Sequence, residues 1–194
     1  MRDELDKALV EKYPHMFRNR YKGMHETCMC WGFECGDGWY QVIDSLCANI
    51  EHHVKWKRGN RARDIRRNRA IKNGYDAVVK FLAGDHEPRD WHYERAQELI
   101  NSGPQEPEPK VNRVVVDQVK EKFGGLRFYY HGGDNEVSGM VRMAESWAAV
   151  TCEKCGNPGH LRHGGWIRTL CDEHEAEYQA RQTKYESEEV DEHV

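Results

Sequence analysis

The chain has 194 residues, of which 38% are hydrophobic and 32% charged, with a formal net charge of −4 and a mean hydropathy of −0.94. This composition excludes a collagen, a coiled coil and a wholly disordered chain, and no run of ~18 apolar residues is present to span a bilayer. The average hides a polarised chain: Lys55–Lys72 holds nine basic residues and one acid, a local +8, and Asp172–Val194 holds nine acids and two bases, a local −7.

In chain order, Leu5, Ala8, Leu9 and Tyr13 recur at helical spacing until Pro14 interrupts. The opening MRDELDKALVEKYP has acids and no apolar core, so it does not read as a secretory signal, and the expected compartment is the cytoplasm. Residues 21–38 are irregular; Gly36-Asp37-Gly38 is a turn signal, with Asp37 placed to cap the next helix. Trp39, Val42, Ile43, Leu46, Cys47 and Ile50 then step as one face of an amphipathic helix. The basic segment 55–72 is built from helix formers, and Gly74 ends it. Ala77, Val78, Phe81 and Leu82 predict a second short helix, and Trp91, Ala96, Leu99 and Ile100 a third. SGPQEPEPK at 102–110 holds three of the six prolines and reads as an extended linker or surface loop. Alternation over 113–131 around Gly124-Gly125 predicts a β-hairpin, and 135–150 returns to helix through Val137, Met140, Val141, Ala144 and Ala148.

These elements predict an α+β protein: a helical region over 1–101 with the basic segment 55–72, a Pro-rich linker or loop at 102–112, a hairpin, helix and metal-binding unit over 113–181, and a fraying acidic tail at 182–194. The expected interior is Val42, Ile43, Leu46, Val116, Phe128, Tyr130, Met140, Val141 and Ala144.

The sharpest chemical signal is Cys152-x2-Cys155-x15-Cys171-x2-His174. Two residues between sulfurs let a tight turn aim both thiolates at one ion, and three sulfurs with one imidazole complete a closed tetrahedral set typical of structural zinc. The turn Gly156–Gly159, a short hairpin of His160–Arg162 against Trp166–Leu170 turning at Gly164-Gly165, and a helix over Asp172–Arg181 give a treble-clef layout. Asp172 and Glu173 in that helix's first turn suit its dipole. His160 and His163 are spare imidazoles, read as surface histidines; a nuclease-type treble clef would use them to activate water.

Cys28, Cys30 and Cys35, with His25 and Cys47 nearby, match no common zinc spacing, so buried or free thiols are expected there ahead of a second site. Lys55, Lys57, Arg58, Arg61, Arg63, Arg66, Arg67 and Arg69 offer three readings: a phosphate-tracking face, a solvated or intramolecular charge surface, or a seat for an acidic protein. Trp56 adds one group able to stack on a base. Phe123, Leu126, Phe128 and Tyr130 on the hairpin read chiefly as core. The chain carries no GxSxG, phosphate loop or HExxH, so no catalytic residue is assigned.

The strings EKYPHMF (11–17), WGFECGDGWYQVIDSLC (31–47), VKEKFGGLRFYY (119–130) and AESWAAVTCEKCGNPGHLRHGGWIRTLCDEH (144–174) resemble a group of small proteins from tailed bacteriophages and prophages. The resemblance covers a third to a half of the chain and excludes the basic segment and the acidic tail. It implies a phage source, expression in a bacterial host cytoplasm and a zinc-binding C-terminal unit, and it brings no established reaction. The expected function is that of a non-catalytic phage accessory protein that binds a host protein or complex, as an inhibitor of antiviral defence or a host-takeover factor. The alternatives are nucleic-acid binding through 55–72 and, below it, a treble-clef nuclease. The partner's identity and the oligomeric state are left open.

Overall fold

A computed structural model describes residues 1–163 and 166–191, with side chains to Thr183. The fold is mixed helix and strand, consistent with α+β: α1 (Asp3–Lys12), β1 (Phe33–Glu34), α2 (Tyr40–Asn73), α3 (Tyr75–Ala83), α4 (Asp90–Ser102), β2 (Asn112–Lys122), β3 (Gly125–Gly133), α5 (Asn135–Ala148), β4 (His160–Arg162), β5 (Arg168–Leu170) and α6 (Asp172–Asp191). Two compact units result, Met1–Glu51 with Asn112–Val194, and His52–Val111. One boundary lies where the Pro-rich segment ends. The other lies inside α2, where helical periodicity runs on and local sequence gives no break.

In the first unit β2 is the middle strand, parallel to β1 and antiparallel to β3. Phe33 sits opposite Val119, and the Phe17 and Phe33 rings meet edge-on at 5.0 Å. The Val116 amide donates to the Met16 carbonyl (2.8 Å), which ties the segment after α1 to the strand. Trp39, Val42, Ile43, Leu46, Cys47 and Ile50 are all buried, as their helical spacing predicts. Val116, Phe128, Val141 and Ala144 are buried too, whereas Tyr130 and Met140 are only half-buried. The Tyr130 hydroxyl reaches Ser138 Oγ at 3.0 Å, and a phenol needing such a partner sits at the core's edge.

Two local expectations are corrected. The hairpin turns on Phe123-Gly124, one residue earlier than Gly124-Gly125: Lys122 pairs with Gly125, and Phe123 (φ 54°) and Gly124 (φ 75°) both take the left-handed conformation of a tight two-residue turn. A β-carbon at Gly124 would also overlap Leu161 Cδ1. Asp37 does not cap a helix. It lies in a 3₁₀ turn (Asp37–Trp39), and its carboxylate accepts from the Arg2 amide (2.7 Å) and Arg2 Nε (2.5 Å).

The second unit buries Ala70, Val78, Val79 and Ala96, with Ile71, Ala77, Phe81, Leu82, Leu99 and Ile100 packed around them. Gly74, at φ 98°, breaks the chain between α2 and α3, and Gly103, at φ 71°, ends α4. The expected turn at Gly164-Gly165 lies outside the described residues, as do residues 192–194. The backbone of α6 runs on to Asp191.

Candidate metal centre

Cys152 and Cys155 leave a turn stabilised from within: the Gly156 amide donates to the Cys152 carbonyl (2.9 Å), and the Cys152 amide donates to the Asn157 carbonyl (2.7 Å). Gly156 completes it at φ 80°. The antiparallel pair β4–β5 then carries the chain to Cys171, whose carbonyl accepts from the Glu175 amide (2.9 Å) and so opens α6. His174 sits in the first helical turn.

The four ligand atoms all lie within 4.8 Å of one another. Cys155 Sγ is 3.8 Å from Cys171 Sγ, Cys152 Sγ is 3.7 Å from His174 Nδ1, and Cys171 Sγ is 3.1 Å from that nitrogen. A tetrahedral zinc, with Zn–S about 2.3 Å and Zn–N about 2.0–2.1 Å, requires S···S edges of about 3.8 Å and S···N edges of about 3.6 Å. Two of the three distances meet that frame closely and the third is tighter. The donor set therefore fits a metal ion of zinc size. Burial pushes the Cys152 thiol up, but the amides of Cys171, Cys155 and Lys154 aimed at its sulfur bring it below the ordinary thiol value. Amides turned toward a sulfur favour the thiolate that a metal needs.

The local apolar support is small: Cys152, Leu170 and Cys171 are buried, with Tyr178 against them and Arg168 over the Tyr178 ring at 4.4 Å. Much of the remaining support comes from the CGDGW segment. The Gly38 amide donates to the Glu153 carbonyl (2.8 Å), the Gly36 amide to Glu153 Oε1 (2.8 Å), and the buried Trp39 indole N–H to the Thr151 carbonyl (2.8 Å). A β-carbon at Gly36 would overlap the Glu153 carbonyl oxygen, and one at Gly38 the Cys152 carbonyl oxygen. These glycines permit backbone-to-backbone approach across more than a hundred residues of sequence. Gly-Asp-Gly reads locally as a turn, and nothing near it in the sequence signals this role. From the other side, the Thr169 hydroxyl donates to the Gly124 carbonyl of the hairpin turn (2.6 Å).

A cleft of about 560 Å³ adjoins the turn, lined in part by Arg2, Asp37, Glu121, Glu153, Lys154 and Arg168. Its carboxylates are committed: Asp37 to Arg2, Glu121 to the Gly124 amide (2.6 Å), and Glu153 to the Gly36 amide. His160 and His163 are exposed.

Among the described residues, His25, Cys28, Cys30, Cys35 and Cys47 do not come together as a metal-holding group. Cys28 is exposed, while burial pushes the Cys35 thiol up to about 12 and that of Cys47 well above its usual value.

Within the second unit the basic residues divide. Arg61 donates to the Glu108 carbonyl (2.5 Å), Arg58 to the Val111 carbonyl (3.2 Å), and Lys57 lies 3.4 Å from the Glu108 carboxylate. Arg67 is half-buried and bonds Asn68 Oδ1 (3.4 Å). Lys55, Arg58, Arg63, Arg66 and Arg69 are exposed, as is Trp56, and of these Arg58 is also tied to the Pro-rich segment. The eight residues therefore do not form one uniform surface. Asp64 and Asn68, four residues apart within the basic run, join Arg58 and Arg61 in holding the Pro-rich segment; their helical spacing was the signal available for this.

The chain matches no family model, no curated protein and no solved structure. The reading of the site therefore rests on its geometry and donor chemistry. None of the described helices is long and apolar enough to cross a membrane.

Proposed function

We propose that this chain is a non-catalytic, zinc-binding phage accessory protein whose treble-clef-type C-terminal unit is held by Cys152, Cys155, Cys171 and His174, and which acts in the host cytoplasm by binding a host protein or complex. One observation supports the structural-zinc part: four protein donors converge within 4.8 Å, as many as a tetrahedral structural zinc takes. The phage and host assignments draw on the resemblance of the CGDGW, KEKFGGLRFYY and CxxC…CxxH strings. Blocking an antiviral defence or redirecting a host enzyme are the kinds of effect this reading entails.

The test passes bacterial host lysate over the tagged, zinc-loaded protein, with and without nuclease, and identifies what stays bound by mass spectrometry. A stoichiometric host protein that survives nuclease supports the reading; retention of no protein at micromolar concentration overturns it. Elemental analysis should return one zinc per chain.

A second reading, nucleic-acid binding by the second unit, is favoured by the exposure of Lys55, Arg63, Arg66 and Arg69 together with Trp56. It predicts duplex binding whose log–log salt slope is about −0.9 per neutralised phosphate. The treble-clef nuclease ranks below both, since four protein donors are the set of a structural zinc.

A further inference from the structure

The Pro-rich segment Gly103–Val111 does more than connect α4 to β2. Its main chain is held at every third residue by side chains of α2. At Gln105, Asn68 Nδ2 donates to the carbonyl (2.6 Å) and Asn68 Oδ1 accepts from the amide (3.2 Å). At Glu108, Asp64 Oδ2 accepts from the amide (3.2 Å) and Arg61 donates to the carbonyl. At Val111, Arg58 donates to the carbonyl. Three residues per turn is the repeat of a polyproline II helix, and Pro104, Pro107 and Pro109 hold φ near the value it needs. Positions 105, 108 and 111 therefore point the same way, and their partners descend α2 in the order 68, 64/61, 58. The segment is a strap lying antiparallel along the helix.

The bonds just named all end on helix side chains, and Pro104, Gln105, Glu106, Pro109 and Lys110 are exposed. Only Val111 among the strap residues is buried. The Asn68–Gln105 bonds are exposed and those at Glu108 and Val111 part-buried, and a segment with so little buried apolar area opens at low cost. Two of the helix groups it occupies, Arg58 and Arg61, donate to neutral carbonyls; a phosphate oxygen would make the stronger, charge-assisted bond.

We propose that Gly103–Val111 is a displaceable strap over a polyanion-binding face of α2, and that duplex nucleic acid competes with it for Arg58 and Arg61. This inference rests on the nucleic-acid reading above. With the strap seated, the exposed Lys55, Arg63, Arg66 and Arg69 supply up to four phosphate contacts. With the strap displaced, Arg58 and Arg61 add two.

The experiment measures full-length protein binding to a 30-bp DNA duplex by fluorescence anisotropy across KCl concentrations. It compares the native chain with a charge-neutral release variant, N68A with P104G, P107G and P109G, which keeps every cation. Circular dichroism and zinc content of the variant control for folding. The expected result is a slope steeper by about 1.8 in the variant, from two more phosphates at about 0.9 each, with at least a ten-fold gain in affinity at low salt. In parallel, hydrogen exchange on the native protein should show the Gln105 and Glu108 amides exchanging at least ten-fold faster when duplex is saturating. Equal slopes and unchanged exchange, with both proteins binding, overturn the strap and leave the nucleic-acid reading standing. If neither protein binds duplex at low salt, that reading fails and the strap's proposed role fails with it.

Discussion

The segment Cys152–Tyr178 and the helices α2–α4 of the second unit face the same difficulty and solve it differently. Each has few large buried side chains. The helices bury Ala70, Val78, Val79 and Ala96 against one another and add six partly covered apolar neighbours. The C-terminal segment has a much smaller apolar cluster, Cys152, Leu170 and Cys171 with Tyr178. It adds four convergent donors and glycine-tight contacts to the CGDGW segment. Helices can bury each other because each offers a continuous apolar stripe. Two three-residue strands offer no such stripe, so a short β-unit needs a staple.

The largest break in this comparison should come from the metal. On the structural-zinc reading proposed above, chelation, or Cys171→Ser, should unfold β4, β5 and the start of α6, since zinc supplies ~10–16 kcal/mol to small sites in favourable cases. The amide resonances of α3 and α4 should persist. Unchanged resonances of the C-terminal segment after chelation would contradict the staple. Next in size is Gly38→Ala. Its β-carbon meets backbone that cannot move aside, and a cost of about 3 kcal/mol in thermal unfolding, with weaker zinc retention, is expected. Gly59→Ala sharpens the contrast, because Gly59 lies inside α2 with nothing near its absent β-carbon; about 1 kcal/mol of stabilisation is expected.

Val78→Ala addresses the helical side. It removes two buried methyl groups and should cost about 2 kcal/mol while zinc content stays the same. The smallest effect involves neither device. Burial pushes the Asp44 carboxyl up, but the bonds from Lys12 (2.7 Å) and the Tyr13 hydroxyl (2.7 Å) outweigh it and hold the group below its ordinary 3.8. A depressed carboxylate stabilises the fold above its unfolded pKa and loses that contribution as pH falls through the folded value. Native protein should therefore lose more of its melting temperature than Asp44→Asn does on acidification below about pH 4.

The parts of the molecule that were legible in the sequence are those whose determinants lie close together along it. Cys152, Cys155, Cys171 and His174 carry their geometry in two short spacings. Trp39 to Ile50 carry theirs in a helical period. The hairpin was placed within one residue because Gly124 must take a positive φ beside Phe123. What escaped are contacts between distant segments. Asp37 looked like a cap because nothing local says that Arg2 will take its carboxylate. Gly36 and Gly38 looked like a turn because the knuckle they accommodate begins more than a hundred residues later. The basic run left three readings open, and it is the course of the Pro-rich segment that ties down Arg58 and Arg61 and leaves Arg66 and Arg69 exposed.

Trp39 gives the chain an internal gauge. Of its six tryptophans, Trp31, Trp56, Trp91, Trp147 and Trp166 are exposed, and Trp39 alone is sealed, with its indole N–H on the carbonyl of Thr151, one residue before the first cysteine of the metal set. Emission at the blue edge of the fluorescence spectrum should therefore come chiefly from Trp39. As metal leaves and the knuckle loosens, that edge should fade, so the occupancy of the site can be followed by light alone, without a label.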